Sequence, residues 1–296
     1  MVHFQSEHLR TFAAVVEAGT FDAAAGALHV TASAVSQRIK AMEQAAGQVL
    51  LRRTTPVQPT AAGETVLRLA RQLRQLEQDA ASELGLNGLG SAAPIPLVVN
   101  ADSLATWFLD ALASLPPDAG CTFEILREDE AHSTALLRSG AVMAAVTSIP
   151  EAVQGCSVAP LGALRYRAVA SPGFVDRWMP DGVSAESFAL APVVQFDRSD
   201  SLQDRFFRER TGGTISAPQH FIPDPAEFAH AARLGMGWAL LPEQHCLSDL
   251  ADGTLVELFP GTPTDVALYW QRWKLHSPAL DQLTDAVRAA ATRALR

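Results

Sequence analysis

The chain is poor in the residues that covalent or metal-based stabilisation requires. Its 296 residues include three cysteines, Cys121, Cys156 and Cys246, which are widely spaced and form no metal-binding pattern. We expect them to be reduced, because three thiols cannot all pair. No run of about 18 apolar residues occurs, so we expect no membrane-spanning helix and no membrane partner. The first ten residues lack a basic segment followed by an apolar core, which favours a cytoplasmic location.

The sequence also lacks the common catalytic motifs. The GxSxG, GxGxxG, HExxH and phosphate-loop patterns are absent, and the eight histidines are scattered along the chain. An enzyme is therefore the weaker of the competing function classes. We expect no catalytic residue, no metal ligand and no cofactor.

Positive charge is scarce overall, but its distribution along the chain is informative. The net charge is −9, which taken alone argues against a nucleic-acid partner. Residues 1–90 contain eight basic and eight acidic residues, whereas the remaining 206 residues contain 15 and 24. Within the neutral N-terminal part, four cations fall in a window of 16 residues: Arg38, Lys40, Arg52 and Arg53. A few phosphate contacts per subunit, doubled in a dimer, are enough for salt-sensitive DNA binding.

The N-terminal part has the spacing of a winged helix-turn-helix. Apolar residues at helical intervals predict three helices, over residues 6–18, 21–28 and 32–46. Thr20 and Thr31 precede the second and third helices, where a hydroxyl can cap the first turn. Residues 49–60, VLLRRTTPVQPT, predict a short edge hairpin, because Pro56 and Pro59 limit strand pairing.

The third predicted helix has two chemically different sides. Val35, Ile39 and Met42 share one side, which can pack on the first two helices. The opposite side carries hydroxyl, amide and ammonium groups, from Ser33, Ser36, Gln37, Lys40 and Gln44. Such groups hydrogen bond to base edges and phosphates, and the Gln37 amide can bind adenine in two places. The alternative is an ordinary solvated helix face.

The predicted DNA-contact surface combines this helix with the hairpin. Arg52 and Arg53 at the base of the hairpin suit phosphate or minor-groove contact, although a solvated charge pair is the alternative. The predicted DNA-contact residues are Thr31, Ser33, Ser36, Gln37, Arg38, Lys40, Arg52 and Arg53. We expect the partner to be a double-stranded DNA operator.

Residues 61–84 predict a fourth helix, which Thr60 can cap. Its apolar residues recur at alternating spacings of three and four, as in a coiled-coil seam: Val66, Leu69, Leu73, Leu76 and Ala80. We predict that this seam pairs two copies of the chain. The alternative is an amphipathic helix that packs on its own domain.

The segment from Ala18 to Glu64 resembles the N-terminal signature of LysR-type transcriptional regulators. The matching positions are Ala23, Ala24, Ser33, Ala34, Val35, Ser36, Ile39, Glu43, Gly47, Arg53, Thr60 and Gly63. Two departures are mild, since Met42 replaces the usual leucine and Leu51 replaces the usual phenylalanine before the arginines.

Four downstream segments narrow the resemblance to the lysine- and arginine-responsive ArgP/LysG subgroup. They are NADSLATWFL (100–109), SGAVMAAVTS (139–148), YRAVASPGF (166–174) and GMGWALLPE (235–243). At Met143 the chain lacks the acidic residue that is common in the wider family, and the subgroup also departs there.

Strand and helix signals alternate through the rest of the chain. Predicted strands cover residues 95–100, 121–126, 142–148, 165–172, 192–196, 218–223, 238–243 and 265–273. Predicted helices cover residues 104–115, 131–139, 201–210, 225–234 and 277–293. This alternation predicts parallel sheets with crossover helices.

The resemblance implies that this α/β region forms two lobes like those of periplasmic binding proteins. The expected fold is therefore an all-α winged helix-turn-helix, a dimerising linker helix and a two-lobed α/β effector region. The expected domains are residues 1–60 for DNA binding, 61–84 for the linker helix, 85–91 for a hinge, 92–166 with 269–296 for lobe one, and 167–268 for lobe two.

Polar residues follow several predicted strands, at the positions where open α/β folds bind ligands. The resemblance implies lysine or arginine as the small-molecule effector. Hydroxyls suited to its α-carboxylate are those of Ser103, Thr147 and Ser148, and Trp107 can flank the aliphatic stem. Acidic groups suited to its cations are Asp102, Asp129, Asp197 and Asp224. The alternative for each is a helix cap or a surface carboxylate.

The resemblance implies a ligand-responsive regulator of an amino-acid export or biosynthesis gene. It also implies dimers of dimers that act with RNA polymerase. Three alternatives stay open: a regulator of this family that senses another metabolite, an architectural or origin-binding DNA protein, and a solute-binding protein.

Overall fold

The computed structural model describes residues 4–84, 94–116, 121–128 and 130–296. They form an N-terminal helical domain, a long linker helix and a C-terminal α/β domain. The predicted hinge at residues 85–91 lies outside the described residues. Within the described ranges, no helix is both long and apolar enough to cross a membrane.

Three helices, a small hairpin and a fourth helix make up the N-terminal part. They are α1 (Ser6–Ala18), α2 (Phe21–Ala27), α3 (Ala32–Ala46), β1 (Leu51–Arg52), β2 (Gln58–Pro59) and α4 (Ala61–Glu83). Strands β1 and β2 pair antiparallel and form the wing. The predicted winged helix-turn-helix is confirmed, and each helix ends within one residue of its expected position.

Local hydrogen bonds explain where these helices begin and end. The hydroxyls of Thr20 and Thr31 each accept a first-turn N–H at 3.1 Å, as the sequence predicts. Gly19 and Gly47 end α1 and α3 in the left-handed conformation, which glycine adopts without strain. The end of α1, the beginning of α2 and both ends of α3 are therefore set by interactions within the local sequence.

The aliphatic side of α3 is buried in the N-terminal domain. Val35, Ile39 and Met42 are at most 2% exposed, and they share one buried cluster with Phe12 and Val15 of α1. Burial of each such side chain stabilises the fold by about 1.5–3 kcal/mol. The orientation of α3 about its axis is thus set by its own packing.

The wing is held against the start of α4 at Gly63. The Thr60 hydroxyl accepts the Gly63 N–H at 3.1 Å and donates to the Val49 carbonyl at 2.8 Å. A Cβ at Gly63 would lie 2.0 Å from the Leu50 carbonyl oxygen, so only glycine permits this approach.

Helix α4 divides its apolar residues between two surfaces, which corrects part of the predicted seam. Val66 is 6% exposed and belongs to the core of its own domain, together with Leu67 and Ala70. Leu69 and Leu76 are each 43% exposed. One side of the helix therefore packs on its own domain, as in the alternative interpretation of its sequence. Another side exposes Leu69 and Leu76 to solvent.

The α/β domain begins with a lobe of three parallel strands. Its elements are β3 (Ile95–Val99), α5 (Ala101–Ser103), a π-helical turn (Leu104–Phe108), α6 (Leu109–Ala113), β4 (Phe123–Arg127), α7 (Glu130–Ser139) and β5 (Ala144–Thr147). Strand β3 pairs in parallel with both β4 and β5. The C-terminal helix α13 (Pro278–Ala294) packs against this lobe, lobe one.

The second lobe contains shorter strands and more helices. Its elements are α8 (Pro172–Trp178), α9 (Ala185–Leu190), β7 (Val193–Gln195), α10 (Leu202–Thr211), β8 (Gln219–Phe221), α11 (Pro225–Arg233), β9 (Ala239–Pro242), α12 (Glu243–Asp252) and β10 (Val256–Glu257). Strands β7 and β8 are parallel. This part is lobe two.

Two long antiparallel strands connect the lobes. They are β6 (Cys156–Ala170) and β11 (Thr264–Trp273), which pair along most of their length. The expected lobe boundaries fall inside these strands, and β11 has a register shift between Leu268 and Tyr269. The chain crosses between the lobes twice, once in each strand.

Some elements are absent from the sequence prediction. Helices α8 and α9 are too short to show a full apolar repeat, and α12 follows β9 without an intervening turn residue. Strand β6 begins nine residues earlier than expected, at Cys156. Gly162 within this strand allows the C-terminus to approach, since a Cβ there would lie 2.8 Å from the Arg296 carbonyl oxygen.

We predict that Gly63→Ala destabilises the N-terminal domain by about 1–3 kcal/mol, the usual cost of inserting a methyl group into a packed site. The matched control is Gly26→Ala in α2, where nothing lies within 4 Å of an added Cβ. Alanine there should preserve or slightly raise stability. Thermal unfolding of the two variants measures the difference. Equal unfolding temperatures would contradict the steric role of Gly63.

Candidate functional site

The polar side of α3 faces solvent. Thr31, Ser33, Ser36, Gln37 and Lys40 are exposed, and so is Gln44 one turn further on. Apart from the cap at Thr31, the structure gives these side chains no hydrogen bond or ion pair to other described residues. Because a helix of this width fits the major groove, this exposed side can contact base edges and phosphates.

Arg38 differs from the other predicted contact residues, because its guanidinium is already engaged. One nitrogen donates to the Thr11 hydroxyl at 3.1 Å, and another pairs with the Glu7 carboxylate. The Arg38 side chain is only 20% exposed. It therefore joins α3 to α1 in the free protein, and its contact with DNA stays a prediction.

Glu43 attaches the end of α3 to the wing, a role that the spacing of the sequence does not indicate. Its Oε1 accepts the Leu50 N–H at 2.9 Å and the Leu51 N–H at 3.4 Å. A carboxylate in the last turn of a helix interacts unfavourably with the helix dipole. This unfavourable position is the one signal in the sequence that Glu43 has a tertiary partner.

The wing presents its arginines to solvent beside α3. Arg52 and Arg53 are exposed, and the Arg53 guanidinium lies 6.0 Å from the Phe21 ring centroid. The Val57 N–H donates to the Gly19 carbonyl at 2.7 Å, which fixes the second strand against the turn before α2. The two cations therefore stand on a supported hairpin.

A second polar site lies where the two lobes of the α/β domain face each other. Parallel strands end at one edge of a sheet, so the residues after β3 and β5 lie on the same edge of lobe one. At that same edge, the guanidinium of Arg127, the last residue of β4, lies 5.8 Å from the ring centroid of Phe196, which follows β7 in lobe two. The strand ends of both lobes thus line one cleft.

Asp102 is the most strongly perturbed carboxyl of lobe one in this cleft. Burial raises its pKa, although a hydrogen bond from Tyr166 and the positive field of His245 act in the opposite direction. The Tyr166 hydroxyl donates to Asp102 Oδ2 at 2.6 Å. A half-buried carboxylate that accepts one hydrogen bond from a phenol has capacity for a cationic partner.

Asp200 is the corresponding carboxyl of lobe two, and the sequence analysis does not select it. Burial raises its pKa, and the negative charges of Asp102 and Asp197 add to the effect. Its Oδ1 also accepts the Leu202 N–H at 2.9 Å, at the start of α10. The charge of Asp102 acts on Asp200, so the acidic groups from the two lobes lie within electrostatic range of each other.

The other predicted cation partners are placed differently. Asp197 is folded back on its own loop, where it accepts from the Ser199 N–H at 2.7 Å and the Ser199 hydroxyl at 2.6 Å. Asp224 is exposed and caps α11 by accepting two N–H groups, at 2.9 and 3.1 Å. Asp224 therefore follows the helix-cap alternative, whereas Asp197 closes a turn of its own loop, and Asp129 lies outside the described residues.

The predicted carboxylate partners lie at the ends of β3 and β5. The Ser103 hydroxyl is buried without a hydrogen-bond partner among the described residues. Thr147 is 1% exposed and its hydroxyl accepts the Ile149 N–H at 3.1 Å, which leaves its proton free to donate. Ser148 is half-buried beside it.

Trp107 belongs to the interior of lobe one. It is 2% exposed and meets Phe108 edge to face, with ring centroids 5.7 Å apart. Its indole N–H has no partner within the described part of the chain. A π-helical turn, a feature often found at functional sites, includes this residue.

Unpaired buried polar atoms occur in both lobes near these strand ends. Among the described residues they include Asn100 Oδ1 and Ser103 Oγ after β3, and Gln195 Oε1 at the end of β7. Buried polar atoms in proteins are nearly always hydrogen bonded, so each of these has a vacant bonding position for a polar ligand or water.

Comparison with known proteins agrees with this geometry. Residues 6–64 match the family described as bacterial regulatory helix-turn-helix protein, lysR family, and residues 97–292 match the LysR substrate binding domain. The HTH-type transcriptional regulator LysG of Mycobacterium tuberculosis is 47% identical over 284 residues, 96% of this chain and 92% of the relative.

Two solved structures have the same fold over nearly the whole chain. ArgP from Mycobacterium tuberculosis superposes with a TM-score of 0.91 at 46% identity, with 98% of each chain covered. Full-length LysG from Corynebacterium glutamicum with bound effector Arg has a TM-score of 0.85 at 37% identity, with 99% of each chain covered.

A winged helix-turn-helix followed by a two-lobed, periplasmic-binding-protein-like domain defines the class of effector-binding transcriptional regulators. Within that class, the chain belongs to the LysR family. The expected fold and family are thereby confirmed.

We predict that Asp200→Asn stabilises the protein at neutral pH. A pKa raised above that of the unfolded chain means that the folded state holds its proton to higher pH. The stability contributed by this carboxyl is therefore present in acid and lost as the pH rises through the raised pKa. Asparagine still caps α10 but carries no charge, so the unfolding temperature should rise by about 2–4 °C at neutral pH.

Thermal unfolding between pH 4 and 7 checks this prediction, with Asp224→Asn as the exposed capping control. The advantage of the Asp200 variant should shrink toward pH 4. A variant that is less stable than the natural chain at pH 7 and equal to it at pH 4 would contradict the sign.

Proposed function

We propose that the protein is a transcriptional regulator that binds operator DNA and senses a basic amino acid, lysine or arginine. In this proposal α3 enters the major groove and the wing arginines bind the flanking backbone. The exposed Leu69 and Leu76 of α4, with Leu73 and Ala80, pair two copies, and further contacts form a dimer of dimers. RNA polymerase is the partner at the promoter, which places the protein in the cytoplasm.

The observation that carries the effector assignment is the pair of half-buried carboxyls, Asp102 and Asp200, one from each lobe of the cleft. A basic amino acid has two cationic groups at opposite ends of an aliphatic stem, and one carboxylate. Two acidic partners match the cations, while hydroxyls at Ser103, Thr147 and Ser148 suit the carboxylate. The arginine named as the effector of the Corynebacterium relative has this chemistry.

The same pair suggests how binding changes the protein. Two like charges on separate lobes repel each other when both are ionised. A cationic ligand between them removes that repulsion, so it binds the closed arrangement of the lobes more tightly than the open one. Such a difference in affinity shifts the population toward closure.

We predict that Asp102→Asn and Asp200→Asn each weaken arginine binding at least tenfold, because each removes a charge partner from a partly desolvated site. Titration calorimetry with arginine and lysine measures the loss, and Asp224→Asn is the control that should bind normally. Citrulline, which has the shape of arginine without its side-chain charge, should bind weakly to the natural chain. Undiminished arginine binding by both variants would contradict the assignment.

The DNA-contact surface can be tested with the two lysines of the chain, Lys40 and Lys274, which are both exposed. We predict that Lys40→Ala weakens binding to a duplex from upstream of the coding sequence and lowers the salt slope by about one per subunit. Lys274→Ala, in the α/β domain, should leave both unchanged. Gln37→Ala should cost about 1–3 kcal/mol and reduce sequence preference.

Binding measured over a salt series gives the slope and the affinity together. Equal slopes for the two lysine variants would contradict the placement of α3 on DNA. Tight binding without preference over random DNA would favour the architectural alternative.

A further inference from the structure

Arg68 makes a contact between the linker helix and lobe one that the functions above do not use. It lies on α4, next to Leu67, which is buried in the N-terminal core. One guanidinium nitrogen donates to the Gln154 carbonyl at 3.0 Å and to the Arg138 carbonyl at 3.4 Å. A single side chain thereby joins the N-terminal part to two elements of lobe one.

The chemistry of this contact suits a cation. Arg138 lies in the last turn of α7, where the unpaired carbonyls and the helix dipole attract positive charge. A charged donor forms stronger hydrogen bonds to carbonyls than a neutral donor does. The planar guanidinium can also donate to two acceptors from one position, which an ammonium group does less well.

Gly140 provides the space for Arg68, and Gly155 lies beside its guanidinium. A Cβ at Gly140 would lie 2.9 Å from the Arg68 Cα, so the backbones of α4 and the end of α7 meet directly. Gly155 follows Gln154, and a Cβ there would lie 4.0 Å from the Arg68 guanidinium carbon. Both glycines have positive φ, at 76° and 85°, so other residues would be strained there.

The Gln154 carbonyl group that binds Arg68 is connected to the cleft by one short segment of chain. The segment that ends at Gln154 begins at Thr147 and Ser148, which line the end of β5. The buried Gln271 side chain holds that segment through hydrogen bonds of 2.9–3.1 Å to the backbone of Ile149, Glu151 and Val153. A displacement at Ser148 is therefore passed to Gln154 instead of being absorbed by a loose loop.

The other end of the connection is equally firm. Helix α4 packs on α1 through buried apolar residues, and Arg71 and Arg74 pair with Glu17 of α1 at 3.4 Å. Gly63 fixes the first turn of α4 against the wing. A rotation of α4 therefore moves the surface proposed to contact DNA.

We propose that Arg68 is the positioning residue that transmits effector binding in the cleft to the DNA-binding domain. The inference rests on the proposed function. Arg68 touches neither DNA nor effector in this scheme. Its effect is on the coupling between the two ligands, which is the ratio of DNA affinities with and without effector.

The test uses the full chain and the variants Arg68→Ala and Arg68→Lys. The control on the same helix is Gln78→Ala, because the structure gives the Gln78 side chain no hydrogen bond or ion pair to other described residues. DNA affinity is measured with and without saturating arginine, and arginine affinity is measured by calorimetry. The natural chain and the control should show a ratio of about fivefold or more. Arg68→Ala should bind arginine and DNA separately to within about twofold of normal but lose the ratio, and Arg68→Lys should restore part of it.

The outcomes separate this inference from the proposed function. An Arg68→Ala protein that keeps the natural ratio overturns the coupling role alone. A natural chain that binds no arginine, or whose DNA complex does not respond to it, overturns the proposed function and the inference together. Loss of arginine binding in Arg68→Ala overturns the positioning role, because it would show a direct part in the cleft.

Discussion

The one-sided burial of α3 is the constraint on which the arrangement of the N-terminal domain depends. Val35, Ile39 and Met42 are held in the core, so the helix cannot rotate without exposing them to water. Arg38 in the middle of the helix and Glu43 in its last turn add polar contacts, to α1 and to the wing respectively. The hydroxyl and amide groups on the far side are therefore presented to solvent before any partner arrives, which lowers the entropy cost of binding.

The α/β domain meets a different requirement, because it must bring groups from distant parts of the sequence together. Asp102 and Asp200 lie in separate lobes, which the strands β6 and β11 connect. Two ionised carboxylates placed in this way repel each other, and a bound cation removes that repulsion. Arg68 lies on a connection between that cleft and α4, and both ends of this connection are held by hydrogen bonds and packing.

Sequence patterns predict what local interactions determine. The end of α1 at Gly19 and the two ends of α3 at Thr31 and Gly47 follow from capping residues and from apolar spacing, all within a few residues. Asp197 and Asp200 show the limit, since both stand in one polar run and only the tertiary fold decides which one faces the other lobe. The same holds for Val66, whose spacing suits a dimer seam although its surroundings place it in its own core.

The most direct measurement of the central claim is photo-cross-linking of the full chain to operator DNA. A benzophenone amino acid would stand in place of Gln37 on the exposed side of α3, or in place of the exposed Leu247 in the α/β domain as the control. The account predicts a covalent DNA adduct from position 37 and none from position 247. A stable DNA complex that gives no adduct at position 37 would contradict it.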